Sequence, residues 1–189
     1  MNRREFCKLG VGSIAAGTSL LALGKAASAG AAKAPGAIDP DALAAEAVRI
    51  LLPGKKTCGE AMLAAGAKAL GVRSELIPDI ALGLSGGVGR QGSVCAIVTG
   101  ASLVISLAAA KKHADYVKKR QAVWDATAKF YKDFEKKFGT VTCRGISGLD
   151  LTTKEGMKAL AGGVKKNKCG KVIDAAARML AECLRDMLA

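Results

Sequence analysis

A chain of 189 residues in which half are hydrophobic is long enough to bury one substantial core. Aromatics make up only 4 % while Ala, Gly and Leu dominate, which argues against a β-sandwich and for helices that approach closely. The formal net charge is +13, and because the first 29 residues hold four basic and one acidic side chain, the remainder still carries +10. An excess of that size is a lysine-rich surface that steers the protein towards an acidic partner or an anionic membrane surface.

The N-terminus contains Arg3-Arg4-Glu5-Phe6-Cys7-Lys8 and resembles a twin-arginine export signal, with Arg3, Arg4, Phe6 and Lys8 as its signature positions. A mildly apolar Gly/Ala-rich segment, Leu9 to Leu23, follows, and Ala27-Ser28-Ala29 fits the small-residue cleavage pattern. Cys7 lies ahead of the apolar segment, which does not suit lipidation. The sequence therefore predicts a signal peptide over 1–29, a linker over 30–40 and one domain over 41–189. It also predicts a periplasmic or otherwise exported protein that touches the membrane only through the signal segment. Twin-arginine substrates cross folded, commonly because a cofactor was inserted in the cytoplasm, which favours a bound redox centre.

Asp41 to Leu52 reads as a helix with Leu43, Ala47, Ile50 and Leu51 on one face, stopped by Pro53-Gly54. Thr57 and Glu60, three apart, form a capping box that opens a helix to Leu70, with Cys58 in its first position. Ser74 to Leu84 reads as a shorter helical piece interrupted near Pro78. Then comes the stretch around which the chain is organised, LGLSGGVGRQGSVCAIVTGASLVISL from Leu82 to Leu107. Its glycine-dense turn leads to Ser93 at an expected N-cap and to an apolar helix from Val94, buried on most sides. The helix is too short and too rich in Gly, Ser and Thr to span a membrane. Cys95 falls in its first turn, where free N–H groups and the helix dipole are expected to favour thiolate.

After Lys111, His113 to Phe138 reads as a long amphipathic helix. Tyr116, Val123, Trp124, Thr127, Phe130, Tyr131, Phe134 and Phe138 form its expected core stripe, opposite a lysine-rich face. An exported protein meets little nucleic acid, so the lysines are not read as a nucleic-acid surface. Gly139 to Thr153 reads as a loop holding Cys143, and Lys154 to Ala161 as a short helix ended by Gly162-Gly163. Asn167 reads as the N-cap of a final helix to Leu188, with Cys169 two residues on and Val172, Ile173, Ala176, Leu180, Cys183, Leu184 and Met187 as its buried stripe. The expected fold is all-α, a single compact helical bundle built round the buried central helix.

Five cysteines follow the signal segment, with no CxxC pair and no CxxCH, so neither a thioredoxin-type motif nor covalent c-type haem is indicated. Cys183 belongs to an apolar stripe and reads as a small buried hydrophobe. Cys58, Cys95, Cys143 and Cys169 remain, three of them expected in the first turn of a helix, where bound anions are stabilised. Gly87 to Gly92 formally matches GxGxxG, but no strand precedes it and no βαβ unit surrounds it, so nucleotide binding is set aside. Gly87, Gly89, Gly92 and Gly100 read as site-shaping residues, and Arg90 as an anchor of the turn or a partner for a carboxylate. His113, the sole histidine, reads as a surface helix residue.

The ordered set Cys58, Gly92-Ser93-Val94-Cys95-Ala96-Ile97-Val98-Thr99-Gly100, Cys143 and Cys169 resembles the C_GCAxxG_C_C family of redox-active proteins. TCGEAML, GLSGGVGRQGSVCAIVTG and CRGISGLDLTTKEG carry the likeness, from about Pro40 to the C-terminus. In place of the family's Gly-Ala after the second cysteine, this chain has Ala96-Ile97, so Ile97 must point away from any centre. The resemblance implies a redox role, sometimes beside larger oxidoreductases. The leading expectation is an electron-transfer or accessory protein whose four cysteines converge on one centre, in its sharpest form an iron–sulfur cluster. Its expected partner is an oxidoreductase or other redox protein, acidic at the contact. Structural zinc, a metal-free thiol–disulfide cycle and a disulfide-stapled binding module are the alternatives.

Overall fold

The computed structural model describes residues 38–189. The stretch read as a signal segment, with Arg3, Arg4, Phe6, Cys7 and Lys8, and the expected linker as far as residue 37 lie outside the described residues. Seven α-helices follow: α1 (Pro40–Leu51), α2 (Cys58–Ala69), α3 (Ala96–Lys112), α4 (Tyr116–Phe138), α5 (Cys143–Ser147), α6 (Lys154–Ala159) and α7 (Gly170–Leu188). A 3₁₀ segment, Asp79–Leu84, joins α2 to the glycine turn, and a π-type segment, Leu160–Cys169, joins α6 to α7. The sole β pairing among the described residues is an isolated antiparallel bridge between Val94 and Thr142.

The helices begin and end where local chemistry directs. Asp39 Oδ1 accepts from the Asp41 amide at 2.9 Å and Pro40 takes the first position of α1. Ile38 is already buried, so the packed unit starts inside the stretch expected to be linker. Asp115 caps α4 and left-handed Gly139 ends it, which places the start of this helix three residues later than expected and leaves half-buried His113 in the preceding connection.

Helix α3 is apolar over most of its surface and lies at the centre, against α2, α4 and α7. α1 closes the bundle by packing on α7 and α2. Leu51, Met62, Leu63, Ile97, Ile105, Phe130, Phe134, Ile173, Leu180 and Leu184 fill the core. α2 and α3 touch almost backbone to backbone: a Cβ on Gly100 would stand 2.8 Å from the Gly59 carbonyl oxygen, and one on Gly66 would collide with Val104. No helix among the described residues is long and apolar enough to cross a membrane.

Three local expectations need correction. Ser74 to Leu84 is turns followed by 3₁₀ helix, not an α-helix broken at Pro78. Of the aromatic stripe on α4 only Phe130 and Phe134 are fully buried. Tyr116 and Trp124 stand in solvent at 68 % and 58 % exposure, because the N-terminal half of α4 presents that side outward. The helix from Lys154 does break at Gly163, as expected, because a φ of 145° there is non-helical, and a second helical stretch resumes beyond it. Asn167 therefore caps nothing, since the helical backbone already runs through it.

Candidate functional site

Each of the four cysteines is positioned by a different device. The capping box is formed in full: the Thr57 amide donates to Glu60 Oε2 at 2.9 Å and the Glu60 amide to Thr57 Oγ1 at 3.4 Å, with Cys58 next in line at the start of α2. Glu60 is 3 % exposed. Burial pushes its carboxyl up, but hydrogen bonds from Thr57 and Lys56 outweigh that and hold it below the ordinary carboxylate range.

Cys95 and Cys143 are set side by side by a two-stranded clasp. The Cys95 amide donates to Val141 O and the Cys143 amide to Ser93 O, both at 2.7 Å, and the Arg144 amide donates to Gly92 O at 3.1 Å. Ser93 is thus occupied in pairing, and Cys95 itself takes the N-cap position of α3. Cys143 lies in no loop but opens α5, with Thr142 Oγ1 accepting from the Gly145 amide at 3.0 Å. The glycine turn makes the clasp possible. Gly87, at φ +74°, places its absent Cβ 2.5 Å from both Ser93 N and Ser93 O, and Gly92, at φ +76°, lies against the Arg144 side chain at 3.0 Å.

Gly89 and Arg90 occupy the exposed tip of that turn. Arg90 has φ 69° and its amide donates to Ser85 O at 2.9 Å, so it anchors the turn through its backbone. The arginine that meets a carboxylate here is Arg144, whose Nη2 is 3.0 Å from Asp150 Oδ2. Gly100 acts at a distance, by letting α2 bring Cys58 close to the head of α3. Ile97 is fully buried in the core.

Cys169 sits at the junction of the π-type segment and α7 with helical backbone angles, not two residues after a cap. Two lysines moor this junction. Lys165 Nζ donates to Lys56 O at 2.8 Å, and Lys168 Nζ to Ser147 O at 3.2 Å. Three of the four cysteines do stand at helix beginnings, but they are Cys58, Cys95 and Cys143.

The four cysteines lie near enough to perturb one another's ionisation: Cys58 and Cys169 act most strongly on each other, and Cys95 and Cys143 both act on Cys58. Interaction with the Cys169 side chain raises the Cys58 thiol well above its usual range, and burial adds to the shift. The same interaction lowers Cys169; burial opposes it, and the Lys165 and Lys168 charges assist. Burial pushes Cys95 up to about 12, despite the Ile97 and Val98 amides directed at its sulfur, and Cys143 up to about 11. The expectation that the helix dipole makes Cys95 the thiolate is therefore wrong here. Desolvation of a 4 % exposed sulfur beats two amide donors, and of these four cysteines it is Cys169 whose ionisation is eased.

All five described cysteines are free thiols. Among the described residues, no group of three or more His, Cys, Asp or Glu side chains is already disposed as a metal cage. By chemistry the donor set is four soft sulfurs in a largely dry pocket, the complement that an iron–sulfur cluster or zinc takes. Cys183 stands apart between α4 and α7, its Sγ 3.9 Å from the Ala126 carbonyl, and burial raises its thiol.

Sequence reasoning missed Lys165 and Lys168 altogether, because their partners are 109 and 21 residues away. It also missed the helix start at Cys143, for which Thr142 three residues before Gly145 was the available signal. Neither the curated proteins nor the solved structures give a match to the chain. A family model described as "Putative redox-active protein (C_GCAxxG_C_C)" matches residues 56–183, a span that takes in all four clustered cysteines and Cys183. The chain belongs to the C_GCAxxG_C_C family.

Proposed function

We propose that this chain is an exported redox-active accessory protein in which Cys58, Cys95, Cys143 and Cys169 form one centre, and that Cys169 and Cys58 are its working pair. What supports this reading is the opposite perturbation of Cys58 and Cys169 by one another, Cys169 shifted down and Cys58 up, with Lys165 and Lys168 favouring the Cys169 anion. The Cys169 thiolate attacks a disulfide on the partner oxidoreductase and one partner sulfur leaves, taking the Cys58 proton. Cys58 sulfur then displaces the second partner sulfur from Cys169. Two thiols here become one disulfide, and one disulfide on the partner becomes two thiols. The remaining basic surface assists encounter with an acidic partner, and the N-terminal arginine pair supports export by the twin-arginine route.

A second reading is favoured by the mutual charge coupling of all four buried or half-buried sulfurs. In it Cys58, Cys95, Cys143 and Cys169 hold an iron–sulfur cluster, which would supply one-electron transfer when bound, or zinc as a structural tie. The test is a thiol count and a visible spectrum on protein matured through the cytoplasm and purified without oxygen. Colourless protein that loses two thiols to oxidised glutathione and regains them with dithiothreitol supports the thiol cycle. A brown protein with visible absorption that bleaches on reduction overturns it in favour of the cluster.

A further inference from the structure

Along α4 a second stripe runs Tyr116, Arg120, Trp124, Thr127 and Tyr131 at helical spacing, exposed at Tyr116, Arg120 and Trp124 and half-buried at Thr127 and Tyr131. The Arg120 guanidinium carbon lies 4.8 Å from the Trp124 ring centroid and 5.7 Å from that of Tyr116, so the cation is stacked between two exposed rings. Beside them a groove of about 510 Å³ runs between α4 and α3, floored by Ser102, Ser106 and Thr127 and edged by Trp124, Tyr131 and Lys132. Thr127 Oγ1, buried in it, has no hydrogen-bond partner among the described residues. Exposed Trp, Tyr and Arg around a groove are the residue types that dominate protein interfaces.

Charge selects the occupant. α4 carries seven Lys and Arg against three Asp and Glu, in a chain of net charge +13, so a second copy would bring like charge to like. We propose that the α3–α4 groove receives an acidic amphipathic helix of a partner protein, its apolar face on Trp124 and Tyr131 and its carboxylates on Arg120 and Lys132. Groove recognition of this kind is governed by apolar anchors at helical spacing, with the charged rim setting orientation and salt dependence. Because it involves none of the cysteines, it stands or falls separately from the thiol chemistry.

Trp124 is the only tryptophan in the chain, so its fluorescence reports the groove directly. The full chain is titrated with a synthetic helix bearing leucine at i, i+3, i+4 and i+7 and glutamate elsewhere, with a scrambled peptide and a lysine-for-glutamate peptide as controls. The expected result is a saturable blue shift with the acidic amphipathic helix alone, weakened about tenfold or more by R120E and by K132E and unaffected by K171E. Arg120, Lys132 and Lys171 are exposed; if R120E nonetheless fails to fold, K132E carries the test. Absence of a saturable shift, equal binding of either control peptide, or indifference to both charge reversals overturns the proposal. So does a shift that appears only on self-association in sedimentation, or only with phosphatidylglycerol vesicles.

Discussion

Replacing Gly100 with Ala tests how the two cysteine-bearing helices are held together. In a helix interior the change by itself is favourable by about 1 kcal/mol. Here the new methyl would stand 2.8 Å from the Gly59 carbonyl oxygen and 3.1 Å from Gly59 Cα, where an ordinary carbon–oxygen contact is about 3.4 Å. The obstacle is backbone one residue past Cys58, fixed by the Thr57–Glu60 box, so it cannot swing aside as a side chain would. Overpacking of this kind costs about 1–3 kcal/mol, and the upper end applies against a fixed turn. The net loss is about 1–2 kcal/mol, a fall in Tm of roughly 2–8 °C for a chain of this size. Thermal melting by circular dichroism measures it. The variant should also form the Cys58–Cys169 disulfide more slowly, since α2 must move away from α3. Gly162→Ala is the control: nothing lies within 4 Å of its added Cβ, so its Tm should hold or rise. A Gly100→Ala protein that melts higher than the parent would refute the close-approach argument.

Other outcomes follow from the same contacts. Alkylation by iodoacetamide between pH 6 and 9, mapped by mass spectrometry, should label Cys169 at the lowest pH and Cys58, Cys95 and Cys143 later, and Cys58→Ala should move the Cys169 profile to higher pH by removing the side chain that lowers it. Stability should fall on the alkaline side, because Cys95 keeps its proton in the folded chain up to about 12 while the unfolded thiol ionises near its ordinary 9.0; Cys95→Ala should remove part of that fall in denaturant midpoints taken from pH 8 to 11. On the acid side Glu46, held down to about 2 chiefly by its hydrogen bond from Arg49, contributes stability present above the ordinary carboxyl range and lost as the pH drops towards 2; E46Q should flatten that limb of the urea curve. Thr57→Ala should cost about 1 kcal/mol in urea unfolding through loss of the α2 cap.

What could be read from the sequence was local. The Thr57–Glu60 box needs only residues three apart, and the stripe of α7 repeats every turn, so both were legible; Val172, Ile173, Ala176, Leu180, Cys183 and Leu184 are all buried. Burial of the helix after the glycine turn was legible too, because Val94 to Leu107 is apolar on most sides, with polar side chains after the turn only at Thr99, Ser102 and Ser106. What escaped was set by pairing across the chain. Ser93 has the chemistry of a cap, yet its carbonyl is taken by Cys143 fifty residues on, and the cap passes to Cys95. Asn167 has the same chemistry and is overridden by helical backbone that resumes just after Gly163 and runs through it. The ionisation order was illegible for a related reason: a helix dipole can be inferred from sequence, whereas the desolvation that outweighs it at Cys95 depends on what closes over the sulfur.

The central claim is that Cys58 and Cys169 are a working thiol pair inside a four-sulfur pocket. Peptide mapping by mass spectrometry after anaerobic oxidation of the full chain with one equivalent of oxidised glutathione tests it most directly. The account predicts a Cys58–Cys169 cross-link, two hydrogens lighter than the reduced peptides and reversed by dithiothreitol, with Cys95 and Cys183 still free. A first disulfide that joins other cysteines, or glutathione left attached to Cys143 while Cys58 and Cys169 stay reduced, would contradict it.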